Sequence, residues 1–222
     1  MELLSEETQK ILEELQLKRR EIEEDDEDII KEIFQEFQFK VKIPEAEWNE
    51  EKKTLFATMI WNGSRNLAHY LIENKEEKVI NKNILEFGAG VGLPSLVCNA
   101  LKASFVCISD YPTEHILSVL RENVQLNSNY QSNEHRVQVI GYKWGTPIDE
   151  LLLLNNSQQY DLIICSECLW RHEQHDQLLF SISSCLSPNG TAIVAFSHHV
   201  PGKEEDDLSF FTLASLKYNL TV

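Results

Sequence analysis

The sequence predicts an α/β fold built on a mostly parallel sheet, and three observations carry that prediction. From Asn83 onward, apolar strand-like segments alternate with helical ones. The first of these strands runs into a glycine cluster, Gly88, Gly90 and Gly92, in "EFGAGVGLP". The second ends on a carboxylate, Asp110. Alternation of this kind puts helices on both faces of a sheet, and ligands of such sheets sit beyond the carboxyl ends of the strands.

Taken in order, the chain opens with an acidic stretch. Residues 1–31 hold 12 acids and 5 bases. The spacing of Leu3, Ile11, Leu12 and Leu15 suggests a helix, but "EIEEDDEDII" is charged enough to fray it. Residues 1–35 are therefore read as a solvated acidic extension in preference to a docking arm, and 36–222 as the folded domain. At Phe37, Phe39, Val41 and Ile43 the apolar period becomes two, which predicts a strand stopped by Pro44, with Thr54 to Ile60 as a hairpin partner. A helix is expected from about Ser64, with Leu67, Ala68, Leu71 and Ile72 on one face.

The alternation follows: strand "NILEFGAG", helix "LPSLVCNALK", strand "SFVCISDY", helix "EHILSVLRENVQLN" and strand "RVQVIGYKW". After a stretch around Leu151–Leu154 come strand "DLIICSE", helix "DQLLFSISSCL" and strand "TAIVAFSHH". The fold class is α/β, Rossmann-like. A fold alone names no function.

Composition narrows the field. A formal charge of −16, from 36 acids against 20 bases, argues against direct contact with nucleic acid or an anionic membrane and favours a basic partner. Five cysteines do not read as a disulfide framework. The start "MELLSEETQK" lacks the apolar run of a signal peptide, and no stretch approaches the ~18 apolar residues of a membrane span. The expectation is a reduced, cytoplasmic protein.

The glycines and Asp110 indicate the ligand. A dinucleotide loop wants its third glycine three positions after the second; Gly92 comes two after Gly90, and no basic residue follows as in a phosphate loop. Gly-x-Gly-x-Gly after "LE" is the commoner form in S-adenosylmethionine binders. Asp110 lies 22 residues past Gly88, where a carboxylate can accept hydrogen bonds from both ribose hydroxyls.

In this order, "MIWNGSRNLAHYL", "ILEFGAGVGLPSL", "SDYP", "YKWG" and "DLIICSE" resemble the seven-strand methyltransferases. That group includes protein-lysine methyltransferases and nicotinamide N-methyltransferase-like proteins. "SDYP", "RHEQH" and "HHVPGKEEDDLSFF" resemble most closely the branch acting on the N terminus and a lysine of elongation factor 1-alpha. The resemblance runs from about Ile60 to the end. It implies S-adenosylmethionine as cofactor, with Trp61 packed against it and Gly88, Ala89 and Gly90 along its methionine and ribose portion. By the same resemblance Asp110 holds the ribose, Trp144 lies by the adenine, and Ser166 forms a small residue in the wall. It further implies N-methylation of elongation factor 1-alpha. The alternatives are methylation of a nicotinamide-like small molecule and a cofactor-binding scaffold without transferase activity.

The stretch "CSECLWRHEQHD", Cys165 to Asp176, has the residues of a zinc site, with two cysteines and two histidines. Cys165, however, belongs to an alternating buried strand, where a free cysteine acts as a small hydrophobe. One ion would have to bend a strand end and a helix start around itself. The stretch is read as the substrate-side rim of the pocket, and no metal is expected. In related protein-lysine methyltransferases this rim carries Asp-x-x-Tyr; the matching positions are Glu167 and Trp170. Glu167 is expected to orient the amine, and Trp170 to meet a cationic group through its ring face.

After the helix in "DDLSFFTLASLKY" the resemblance requires a sixth and a seventh strand. "NLTV" can begin the sixth, and the sequence stops at Val222. The expectation is a truncation, or another segment covering the edge of the fifth strand, with a tendency to self-associate.

Overall fold

A computed structural model describes residues 29–34, 37–44, 59–130 and 136–222. The chain enters as an antiparallel hairpin of β1 (Ile29–Phe34) and β2 (Phe37–Lys42). Helix α1 (Asn62–Glu73) and the single turn α2 (Lys75–Lys78) follow. Strand and helix then alternate as β3 (Asn83–Phe87), α3 (Leu93–Ala100), β4 (Phe105–Asp110), α4 (Glu114–Leu126), β5 (Val137–Gly141) and α5 (Asp149–Leu154). The series closes with β6 (Tyr160–Ser166), α6 (His175–Cys185), β7 (Leu186–Ala195) and α7 (Glu204–Tyr218).

Strands β3 to β7 form one parallel sheet in the order β5-β4-β3-β6-β7. The chain builds outward from β3 to β5, then crosses back to place β6 on the other side of β3. That reversal opens a crevice at the carboxyl ends of β3, β4 and β6, where such sheets bind ligands.

The three central strands are buried on both faces, as a parallel sheet between two helical layers requires. Ile84, Val106, Ile108 and Ile164 pack with α1, α3, α4 and the hairpin, while Leu85, Phe87, Cys107, Ile163 and Cys165 pack with α6 and α7. Consecutive residues of one strand thus serve opposite cores, the period of two seen from the other side.

The hairpin differs from the sequence reading. The partner of β2 is β1, which falls within the stretch read as a solvated extension. The proposed partner at Thr54 to Ile60 lies mostly outside the described residues. Phe34 and Phe39 are buried, and that apolar pair is what draws β1 onto the body despite the acids before it.

The second edge of β2 is covered by side chains. Asn123 Oδ1 accepts from Lys42 N at 2.6 Å and Asn127 Oδ1 from Lys40 N at 3.0 Å, while their amides donate to the carbonyls of the same two residues. Positions i and i+4 of a helix lie about 6 Å apart, close to the spacing of i and i+2 along a strand, so the two asparagines stand in for a neighbouring strand. Arg65 then ties α1 to Glu32 of β1 through two hydrogen bonds, of 3.0 and 2.6 Å.

At the other end, Asn219–Val222 form no strand. Asn219 adopts a left-handed conformation, φ +53°, and turns the chain so that Leu220 N donates to Ala214 O at 3.2 Å. This left-handed cap satisfies one of the carbonyls at the helix end. Among the described residues, β7 is the outer strand of its side of the sheet.

Candidate active site

The crevice holds a pocket enclosing about 950 Å³, its open mouth included. Its cofactor half is made by short, local segments. After β3 the chain turns at Gly88, φ +63°, where a Cβ would lie 2.7 Å from Cys168 Sγ and 3.2 Å from the Trp144 ring. Only glycine fits that turn and that contact together. Cys168 is buried, its thiol facing the Phe87 and Ser166 carbonyls at 3.4 Å, so it is a packing residue beneath the loop.

Asp110, at the end of β4, secures the loop. Its Oδ2 accepts from Gly90 N at 2.7 Å and its Oδ1 from Tyr111 N at 2.6 Å. An ionised carboxylate has about four acceptor positions, so each oxygen keeps one, and Asp110 lines the pocket. Burial pushes its pKa up, against the two backbone hydrogen bonds that lower it. Ala89 and Trp144 line the same half.

Beneath this half lies Glu86, which sequence reading passed over. It is fully buried in β3, and Oε2 accepts from the backbone and hydroxyl of Ser95. Oε1 has no hydrogen-bond partner, and burial drives the pKa up to about 8, the Ser95 hydrogen bonds opposing it. A protonated carboxyl is therefore the form this interior holds at neutral pH.

The acceptor half is assembled from distant parts of the chain. Glu167 follows β6 in a left-handed conformation, φ +55°, with its side chain buried. Its Oε1 accepts from Gly63 N and Ser197 Oγ, both at 2.9 Å, and its Oε2 from Ser197 N at 2.7 Å and His199 Nε2 at 2.8 Å. Burial opposes its ionisation, but the hydrogen bonds from His199 and Ser197 outweigh that and lower the pKa. All four acceptor positions of this carboxylate are filled by the protein. The expected grip of Glu167 on a substrate amine is revised accordingly, because no acceptor position is left for it.

Around this brace stand the other expected residues. Trp61, just before α1, meets the His199 ring edge to face with centroids 4.8 Å apart. Ser166 is buried and its hydroxyl lies 3.0 Å from that of Ser64. Trp170 lines the pocket, and the Arg171 guanidinium lies 5.3 Å from its ring centroid, so a cation already occupies part of that surface. A Cβ at Gly63 would overlap the Glu167 carboxylate, which explains the glycine before Ser64.

The histidines of "CSECLWRHEQHD" take partners other than the cysteines. His172 Nε2 meets Asp207 Oδ1 at 2.7 Å, and His175 Nε2 meets Leu169 O at 2.8 Å. Asp207 is buried and also binds His198 Nδ1 at 2.7 Å, joining the loops after β6 and β7. Sequence reading missed Gly63, Ser197 and His199. The last sat in plain view in "HHVPG", but nothing local shows which carboxylate it meets.

With this geometry in hand, comparison with known proteins is specific. The profile of a family described as lysine methyltransferase matches residues 41–217. The chain belongs to this lysine methyltransferase family. Among its relatives, the protein N-terminal and lysine N-methyltransferase EFM7 of Yarrowia lipolytica is 34% identical over 176 residues, covering 73% of this chain and 64% of that protein. The protein of the same name from Candida albicans is 35% identical over 192 residues, 79% of this chain and 72% of its own length. This chain spans 64% of the Candida glabrata relative as well. The fold agrees with a solved structure, SMU.776, titled as a methyltransferase complexed with SAH. That match has a TM-score of 0.61 at 13% identity and covers 87% of this chain and 48% of that one.

The family's cofactor, S-adenosylmethionine, suits the donors present. The two open acceptor positions of Asp110 match a ribose diol, Gly88 leaves room for close approach of the backbone, and Trp144 gives an aromatic wall. Among the described residues no helix is long and apolar enough to cross a membrane.

Proposed function

We propose that this chain transfers a methyl group from S-adenosylmethionine to an amine of a protein, and that the acceptor is the N-terminal or a lysine amine of elongation factor 1-alpha in the cytoplasm. One observation carries the reading: a single pocket joins the Gly88–Asp110 half to a rim of Trp61, Trp170 and His199. When bound, S-adenosylmethionine supplies an electrophilic methyl on a sulfonium.

The protein's own residues supply position and desolvation, which is where an in-line displacement gains most. We assign Trp61, Gly88, Ala89, Gly90, Asp110, Trp144 and Ser166 to the cofactor. Trp170 flanks the acceptor, and Glu167 braces the rim by tying α1 to the loop after β7. The net charge of −16 supports a basic acceptor such as this factor. The relatives named above carry N-terminal and lysine methyltransferase in their names, which supports both amine classes.

The test is incubation with labelled S-adenosylmethionine and a cell lysate, then with purified elongation factor 1-alpha. Label is expected on a protein band that co-migrates with the factor. Label only on a small molecule, or none at all, would refute the proposal.

A further inference from the structure

We propose that His199 is the general base of the methyl transfer, held by Glu167 in the tautomer that leaves Nδ1 open to the substrate ammonium. This rests on the reading of the chain as a protein N-methyltransferase. An amine can attack only after losing its extra proton, and a lysine near pKa ~10.4 is almost wholly protonated at neutral pH. A base at the acceptor end of the pocket would take that proton where solvent has not.

The candidates reduce quickly. Glu167 is saturated by four protein donors. Asp110 lies at the cofactor end, braced on Gly90 and Tyr111. Tyr142 donates to the Thr146 carbonyl. Ser64 and Ser166 bond to each other, and hydroxyls are poor bases. Tyr111, which also lines the pocket, adjoins Asp110 at the cofactor end; His199 lines the pocket beside Glu167 and remains.

Its surroundings fix its chemistry. The Glu167 carboxylate can only accept, so the Nε2 at 2.8 Å must carry the hydrogen. A neutral ring then bears its lone pair on Nδ1. That atom has no hydrogen-bond partner among the described residues and is not among the buried atoms left without one. Trp61 holds one side of the ring, and His198, tied to Asp207, anchors the adjacent backbone. A carboxylate behind an imidazole both orients it and stabilises the imidazolium that forms.

The balance is simple. The ammonium N–H bond breaks and its proton goes to Nδ1, giving an imidazolium beside the Glu167 carboxylate. The freed nitrogen lone pair forms the new N–C bond as the methyl–sulfur bond breaks, its electron pair staying on sulfur. The imidazolium then returns its proton to water.

The experiment uses the full chain with elongation factor 1-alpha as acceptor, from pH 6 to 10. His199→Asn should lower kcat about 100-fold at pH 7 with KM little changed. That loss should shrink as pH approaches the amine pKa, where solvent has already removed the proton. Added imidazole should partly restore His199→Ala. Thermal unfolding and S-adenosylmethionine affinity of the variants are measured alongside. Independently of activity, nitrogen NMR of the wild-type chain should show that the neutral form of the His199 ring carries its hydrogen on Nε2.

A loss that is constant across pH, a His199→Asn variant as active as wild type, or a hydrogen on Nδ1 would each overturn the assignment to His199 alone. A wild-type chain that labels no protein would instead overturn the functional reading on which it rests.

Discussion

Asp110 and Glu167 are two carboxylates at the ends of neighbouring parts of one sheet, and they are used in opposite ways. Asp110 gives one acceptor position per oxygen to backbone N–H groups one and twenty residues away, and has two left over. Glu167 gives all four to donors from two separate segments, the start of α1 and the loop after β7. One acid secures the loop beside it and has acceptor positions to spare. The other joins remote segments and has none. Residue type and strand position alone do not distinguish these roles. The number of acceptor positions left over does.

The largest effect expected from this contrast is on stability. Glu167→Ala would strand the N–H groups of Gly63 and Ser197, the Ser197 hydroxyl and the His199 ring in a buried rim. Losing one partner of such a network costs about 3 kcal/mol or more, to be read from urea unfolding. Because the Glu167 pKa is lowered, its contribution is present at neutral pH and lost as acid protonates it. A variant as stable as wild type would erase the distinction between brace and ligand contact.

Glu86 gives the opposite pH sign. Folded, it holds its proton up to about pH 8; unfolded, it loses it near the ordinary value of 4.5. Between those values the folded chain binds more protons, so stability falls as pH rises through the window. Glu86→Gln should flatten that slope in unfolding midpoints measured from pH 5 to 8. An unchanged slope would mean that the interior ionises this acid freely.

A smaller effect is expected at Asp110. Asp110→Ala should weaken S-adenosylmethionine binding about tenfold to a hundredfold, the cost of one to a few kcal/mol for unpaired ribose hydroxyls. Titration calorimetry on a folded variant measures it, and an unchanged affinity would remove Asp110 from the site. Smallest is the hairpin edge. Asn127→Ala leaves the Lys40 N–H and carbonyl to water at about 1 kcal/mol, seen as faster amide exchange at Lys40 with little change at Asp110.

The meeting of the glycine loop with Asp110 was legible because its parts are close in sequence. A strand, a glycine turn and the next strand's last residue form a βαβ unit, and its parallel connection leaves few ways to arrange them. Gly88, Gly90 and Asp110 meet for that reason. The alternation of apolar segments likewise carried the five-stranded sheet, since strands buried on both faces read as continuous apolar runs.

Other features were settled only by tertiary structure. Phe34 draws a strand out of an acidic stretch because Phe39 and His69 give its ring somewhere to pack, which local charge cannot reveal. Asn123 and Asn127 read as ordinary helix residues until a strand edge lies beside them. The rim depends on hydrogen bonds spanning 104 residues between Gly63 and Glu167 and 32 between Glu167 and His199. No periodicity or spacing encodes a partner at such separations. Burial decides it, because a carboxylate taken out of water must find its donors wherever the folded chain brings them.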